Sequence, residues 1–314
     1  LALTYCRALL ALVVVAFSAC SRNVKTIPPV LEGISLMGDT LWSVPVPIQG
    51  GRERVNRLYD ARERKQRSPG ELMPAYDVAR YTADLGRYTQ AIALYGEAAD
   101  VGGLDPRPYA RRGELYLLLR RIDRGYGDLR TAERLFAGEP AAELQITSGG
   151  EMQPRSLSYS IPHQLGIATL VRGEPARAVG YFASSAAVVE SLRDAIHATL
   201  WYRVSRPGAD FPSTLPSRFR GGVTVMVANA ARGASPPGCP TGTGQMVEPE
   251  LLCLAGAMQL LAQGKREQAL AVFDLIRHRS HWAVPAHLVA EAATARLQLD
   301  GDPMTVGDRP THRK

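Results

Sequence analysis

The sequence predicts an all-α fold of stacked helical hairpins, and three observations carry that prediction. The first is self-similarity: "DVARYTADLGRYTQAIALYGEAAD" from Asp77 aligns with "RRGELYLLLRRIDRGYGDLRTAER" from Arg111 at an offset of 34 residues. The second is that small side chains recur at fixed places in four such frames, starting at Leu72, Pro106, Tyr159 and Glu250. The third is that proline and glycine gather between the periodic segments, most densely from Ser205 to Pro249.

Each frame repeats the same mechanical pattern. The eighth residue is Ala79, Gly113, Gly166 or Ala257, and the twentieth is Ala91, Gly125, Ala178 or Ala269. Two antiparallel helices approach closely only where the crossing points carry little side chain. The twenty-fourth residue, which fills the adjacent gap, is Tyr95, Leu129, Phe182 or Phe273. The twenty-seventh is small again in the first three frames, at Ala98, Ala132 and Ser185, where the next hairpin stacks. This pattern resembles the tetratricopeptide repeat family over residues 72–299, and the resemblance implies an α-α superhelix with a concave groove used to bind other proteins or peptides.

The remaining elements follow in order. Residues 20–50, with prolines at 28, 29, 45 and 47, read as an extended tether. Within it, Trp42 either docks on the body or rests near a membrane interface. Residues 51–71 read as an Arg-rich helix and linker whose narrow apolar face is Val55, Leu58 and Tyr59. Repeat three begins 19 residues late, after "GEPAAELQITSGGEMQPRSLS". Between repeats three and four, Leu192–Val204 reads as a lone first helix whose expected partner is interrupted by Pro207, Pro212 and Pro216. Residues 205–249 are therefore an insertion, with Gly222–Ala230 ("GVTVMVANA") as its strand-like run. Pro285–Leu299 reads as a closing helix, and 300–314 as a polar tail.

The N-terminal segment sets the compartment. Ala8 to Ser21 carries no charge over fourteen residues, about 21 Å as a helix, against about 20 residues needed for a bilayer core of roughly 30 Å. It is short for a span and suits the apolar core of a secretory signal, with Arg7 as its positive flank. Phe17-Ser18-Ala19-Cys20 resembles the lipobox of bacterial lipoproteins. That resemblance implies removal of residues 1–19, a lipid on Cys20, and, with Ser21 next, placement in the outer membrane facing the periplasm.

Composition narrows the function classes. The net charge of +7 falls only to +6 when Arg7 is lost, and arginines are interleaved with acids, so no nucleic-acid stripe stands out. Apart from Cys6 and Cys20, the cysteines are Cys239 and Cys253. They either join, closing a loop of about 15 residues worth roughly 3 kcal/mol, or remain a loop thiol and a buried helix residue. No H-E-x-x-H, G-x-S-x-G or phosphate-loop pattern is present. His278, His281 and His287 lack a completing ligand at helical spacing, so they read as surface or packing residues and no metal or cofactor is expected.

A binding surface remains. The resemblance places the groove at positions two, five, nine and twelve of each frame. Those are Met73, Tyr76, Arg80 and Ala83, then Arg107, Ala110, Glu114 and Leu117 in the early repeats. The later ones are Ser160, His163, Ile167 and Leu170, then Leu251, Leu254, Met258 and Leu261, open either to a ligand or to cover by the insertion or closing helix. The expected partner-binding residues are Tyr76, Arg80, Arg107 and Glu114. The expectation is a non-enzymatic lipoprotein adaptor that holds another envelope protein or peptide. One alternative is a structural part of a cell-wall or outer-membrane machinery acting through helix 51–67. The other, an envelope enzyme with a site in the insertion, is disfavoured because 205–249 holds one aspartate, one glutamate and no histidine.

Overall fold

A computed structural model describes residues 26–43, 46–136, 142–146, 152–233 and 248–300. They form an all-α array of helical hairpins of the tetratricopeptide type, with short two-stranded pieces at its margins. Thr26–Ile27 (β1) pairs with Val46–Pro47 (β4), and between them Leu31–Ile34 (β2) pairs with Thr40–Trp42 (β3), all antiparallel. Ile48–Arg67 (α1) leads into two hairpins, Leu72–Asp84 with Tyr88–Gly102 (α2, α3) and Pro106–Leu118 with Ile122–Leu135 (α4, α5). A β-ribbon follows, Ala142–Ile146 with Met152–Ser156 (β5, β6). Then come Leu157–Val171 and Pro175–Ala187 (α6, α7), Leu192–Ser205 and Ser217–Gly233 (α8, α9), Pro249–Ala262 and Arg266–Arg279 (α10, α11), and Pro285–Asp300 (α12).

The residues that set the repeat also set the packing. Ala79, Ala91, Ala98, Ala132, Ala178, Ser185, Ala257 and Ala269 are all completely buried, as are the large fillers Leu129, Phe182 and Phe273. A Cβ at Gly125 would stand 2.8 Å from the Gly113 carbonyl oxygen, and one at Gly166 2.6 Å from the Phe182 ring. Backbone and fully packed ring leave nowhere for a methyl group to go.

The hairpins of the four repeat frames turn on one device. Gly86, Gly173 and Gly264 take left-handed φ of 71°, 83° and 74°, a conformation open to glycine. The next residue's N–H then bonds back five positions: Arg87 to Thr82, Glu174 to Thr169 and Lys265 to Leu260. Repeat two makes the same bond, Arg121 to Tyr116 at 2.8 Å, but its turn residue is Arg120, with φ 61°. A side chain in that region costs about 1–2 kcal/mol. The side chain at this turn is what the strain secures: Arg120 donates to Glu291 Oε2 on α12 through Nε (3.1 Å) and Nη2 (2.5 Å), and through Nη1 to the carbonyls of Leu118 and Trp282.

Three expectations need correction. The described part of the tether is a docked hairpin: Leu41 is 2% exposed, and the Leu36 N–H donates to Glu291 Oε1. Its prolines lie outside β2 and β3, so the ladder is not interrupted. The strand-like run 222–230 is helical within α9, which packs on α8. The prolines end α8 and precede α9 instead of breaking a helix. Gly222 supplies the close approach there, since a Cβ would meet Leu192 at 2.8 Å. On α1 the buried face is Leu58 and Ala61, with Val55 partly covered, against Val78 and Leu85; Tyr59 is 64% exposed. The polar tail from 301, the segment around Cys20 and residue Cys239 lie outside the described residues.

Two glycines of α5 separate packing from propensity. Gly127 meets nothing within 4 Å, whereas Gly125 meets backbone. Gly127→Ala should raise stability by up to about 1 kcal/mol through helix propensity. Gly125→Ala should lower it by about 1–3 kcal/mol despite the same gain. Urea titrations followed by circular dichroism compare the two, and equal shifts would show that the crossing is not tight.

Candidate partner-binding groove

The first helices of the early repeats, α2 and α4, bring Tyr76, Arg80 and Arg107 into one neighbourhood. Tyr76 forms its floor. It is 2% exposed, its ring centroid lies 5.5 Å from that of Tyr95, and its hydroxyl finds no hydrogen-bond partner among the described residues. The Arg107 guanidinium stands 6.0 Å from the Tyr76 ring centroid. Met73, one turn before Tyr76, is 43% exposed and opens the site to solvent.

The arginines are held by neighbouring carboxylates. Asp105 caps α4 by accepting from the Arg107 N–H at 2.9 Å, and its two oxygens also take the Arg107 fork. Burial pulls the Asp105 carboxyl upward, but these bonds outweigh it and leave it below the ordinary carboxylate value. The bonded carboxylate raises the Arg107 guanidinium in turn. Arg80 donates to Asp77 Oδ1 and to the Tyr81 hydroxyl, each at 2.9 Å, while its Nε is buried without a partner among the described residues. Glu114 braces α4 against its neighbours: it accepts from Arg111 at 2.7 Å and from Gln164 of α6 at 3.3 Å.

Deeper along α2 lies Asp84, which the sequence did not single out. Burial pushes its carboxyl up to about 6 against the pull of Arg80, Arg111, Arg54 and Arg57. Tyr88 beside it is pushed up to about 12, first by burial and then by Glu114, Glu32 and Asp84. Tyr88 packs edge-on against Trp282, with centroids 5.6 Å apart. The loop between α11 and α12 thereby closes the inner end of this stretch.

Most of the late half of the expected groove is covered, with Met258 and Leu261 left partly exposed. Ser160, His163, Ile167 and Leu170 are each no more than 8% exposed, and Leu251 and Leu254 are fully buried. Over His163 lie His197 and Trp201 of α8, at centroid distances of 4.9 and 5.7 Å. α12 returns across α6, where Arg296 donates to the carbonyls of Leu170 and Val171. Among the described residues no group of three or more His, Cys, Asp or Glu could hold a metal ion. His278 bonds the Asp274 carbonyl, His281 accepts from the Ala283 N–H, and His287 meets the Ser280 hydroxyl. Cys253 is 3% exposed and disulfide-bonded.

Asp84 yields a pH test. Its proton is held more tightly in the folded chain than in the unfolded one, so ionisation opposes folding progressively as pH rises from about 4 through 6. Relative to the parent, Asp84→Asn should gain about 2–3 kcal/mol of stability between pH 4 and pH 7. Urea midpoints across that range measure it, and a difference independent of pH would contradict burial as the cause.

No family model and no curated protein matches the chain. Among solved structures it is similar to YrrB, described as a TPR protein with an unusual peptide-binding site, at 13% identity and a TM-score of 0.40 over 73% of this chain and 95% of that one. It is also similar to a tetratricopeptide repeat protein from Parabacteroides merdae, at 14% identity and a TM-score of 0.42 over 78% of this chain and 94% of that one.

Proposed function

We propose that the protein is a non-enzymatic adaptor of the bacterial cell envelope, lipid-anchored through Cys20 in the outer membrane facing the periplasm. Its early groove holds another envelope protein or peptide. One observation carries the binding half of this reading: Met73, Arg80 and Arg107 keep access to solvent on α2 and α4, while the equivalent residues of α6 are buried. The paired arginines suit a partner segment that exchanges with Asp77 and Asp105, so a mixed-charge or acidic peptide with one apolar side chain for Met73 fits best.

The anchoring half is supported by the four lipobox residues and by the apolar run that is too short to span. Among the described residues no helix is long and apolar enough to cross a membrane. The disulfide at Cys253, for which Cys239 is the proposed partner, favours an oxidising compartment. The alternative use of α1 as a free basic surface is weakened by its ion pairs, Arg64 with Asp77 and Lys65 with Glu97. No nucleic-acid partner and no cofactor enter the proposal.

Crosslinking in intact membranes with three chains tests both halves. The parent should capture one reproducible protein, and recovery of lipid or glycan alone sinks the adaptor reading. Arg80→Gln with Arg107→Gln should cut that capture about fivefold or more, equivalent to roughly 1 kcal/mol, without shifting the thermal midpoint of the fold appreciably. Undiminished capture would move the site elsewhere. Cys20→Ser should leave the acylated membrane pool, and an unchanged lipid content in that variant would end the anchor.

A further inference from the structure

The docked β2–β3 hairpin wears its polarity inside out. Toward the body it buries Glu32, Ser35 and Ser43 beside Leu41, at 5%, 9%, 4% and 2% exposure. Toward solvent it turns Val30, Leu31, Ile34, Leu36 and Trp42, at 40–51%. Leu31 stands opposite Trp42 in the ladder, and Ile34 opposite Thr40, so Leu31, Ile34 and Trp42 share one face, with Val30 and Leu36 exposed at the two ends of β2. Five of the twelve large hydrophobic residues exposed among the described residues thus lie within thirteen positions of the chain, which makes the face a patch instead of scatter.

The patch is rigidly presented. The buried polar groups are satisfied from the body and the hairpin itself: Glu32 Oε2 accepts from the Thr89 N–H at 2.7 Å, and the Ser43 hydroxyl from the Val30 N–H at 2.8 Å. Trp282 Nε1 donates to the Trp42 carbonyl at 2.7 Å. The Trp42 ring N–H is satisfied by the Thr40 hydroxyl at 3.1 Å, so the ring can leave water without stranding a donor.

We propose that this outward face of Val30, Leu31, Ile34, Leu36 and Trp42 rests in the interfacial zone of a lipid bilayer, holding the repeat body against the membrane. The inference rests on the anchoring reading above. Cys20 precedes Val30 by ten residues, a stretch that reaches at most about 36 Å, so a lipid on Cys20 confines the hairpin to the membrane surface. At that confinement even a weak apolar contact is occupied. Tryptophan beside aliphatic residues is the composition of that zone. The cation Arg87 bonds the Pro28 carbonyl at the hairpin's base, in reach of head-group phosphates. At the tip the one exposed acid, Asp39, is faced by Arg277 at 3.7 Å. Five half-exposed side chains fall well short of the roughly 800 Å² per partner that a stable dimer buries, which favours the bilayer over a second copy.

The chain carries its own reporter. Of its three tryptophans, Trp201 and Trp282 are 1% and 9% exposed, and only Trp42 is open. The full chain is reconstituted into phosphatidylethanolamine–phosphatidylglycerol vesicles with and without brominated acyl chains. Brominated lipid should quench on the order of a third of the emission, the share of one tryptophan in three. Trp42→Phe should abolish that quenching while the protein still floats with the vesicles. Flotation with no quenching, or quenching that survives Trp42→Phe, overturns this inference alone. Failure to float overturns it together with the anchoring reading. Self-association in lipid-free solution that Trp42→Ser disperses would assign the face to a second copy and also overturn it.

Discussion

One buried carboxylate ties the molecule together. Glu291 is 1% exposed and sits in the middle of α12; one of its oxygens takes the Arg120 guanidinium from the turn of repeat two, and the other takes the Leu36 N–H from the N-terminal hairpin. His287, 3.8 Å away, is depressed to about 4 by burial and by Arg120, and stays neutral at physiological pH. The Glu291 charge is therefore matched by one cation. A repeat array contacts only its sequence neighbours, and its stability is close to a sum of local terms. Here a residue 171 positions from its partner makes the first half, the closing helix and the hairpin depend on each other.

That dependence explains where the groove is open. With α12 drawn back over α6 and the α11–α12 loop setting Trp282 against Tyr88, the groove positions of α6, from Ser160 to Leu170, belong to the core together with Leu251 and Leu254 of α10. The early repeats keep a short accessible stretch, but its charges are already paired with one another. On the proposed reading, a partner at this stretch exchanges ion pairs instead of meeting free arginines, which favours specificity and reversibility over raw strength.

The repeats were legible because their rule is local. A small residue at the eighth and twentieth positions and a bulky one at the twenty-fourth can be read within 34 residues, and the structure buries every one of them. Cover of the late groove was not legible, since no local pattern says that residues 285–300 return to 157–171. The hairpin at 31–42 was hidden for the same reason: flanking prolines read as a tether, and its docking depends on Glu291 far along the chain. α9 was masked by a β-branched run that tertiary packing on α8 overrides. Arg120 was in view. The frames place Gly86, Gly173 and Gly264 at the same turn, and the single arginine among them marks the residue whose side chain outweighs its backbone strain.

The central claim is that the Arg120–Glu291 pair, not repeat stacking alone, makes the array one cooperative unit. Arg120→Gly separates its two sides, because it relieves a left-handed side chain worth about 1–2 kcal/mol but leaves a buried carboxylate unpaired at about 3–5 kcal/mol. Hydrogen exchange measured on the parent and on Arg120→Gly is the direct test. Our account expects a net loss of about 2–3 kcal/mol, with amide protection falling together in β2–β3 and α12 while the α2–α3 hairpin keeps its own. A variant as stable as the parent, with protection unchanged in both segments, would contradict it.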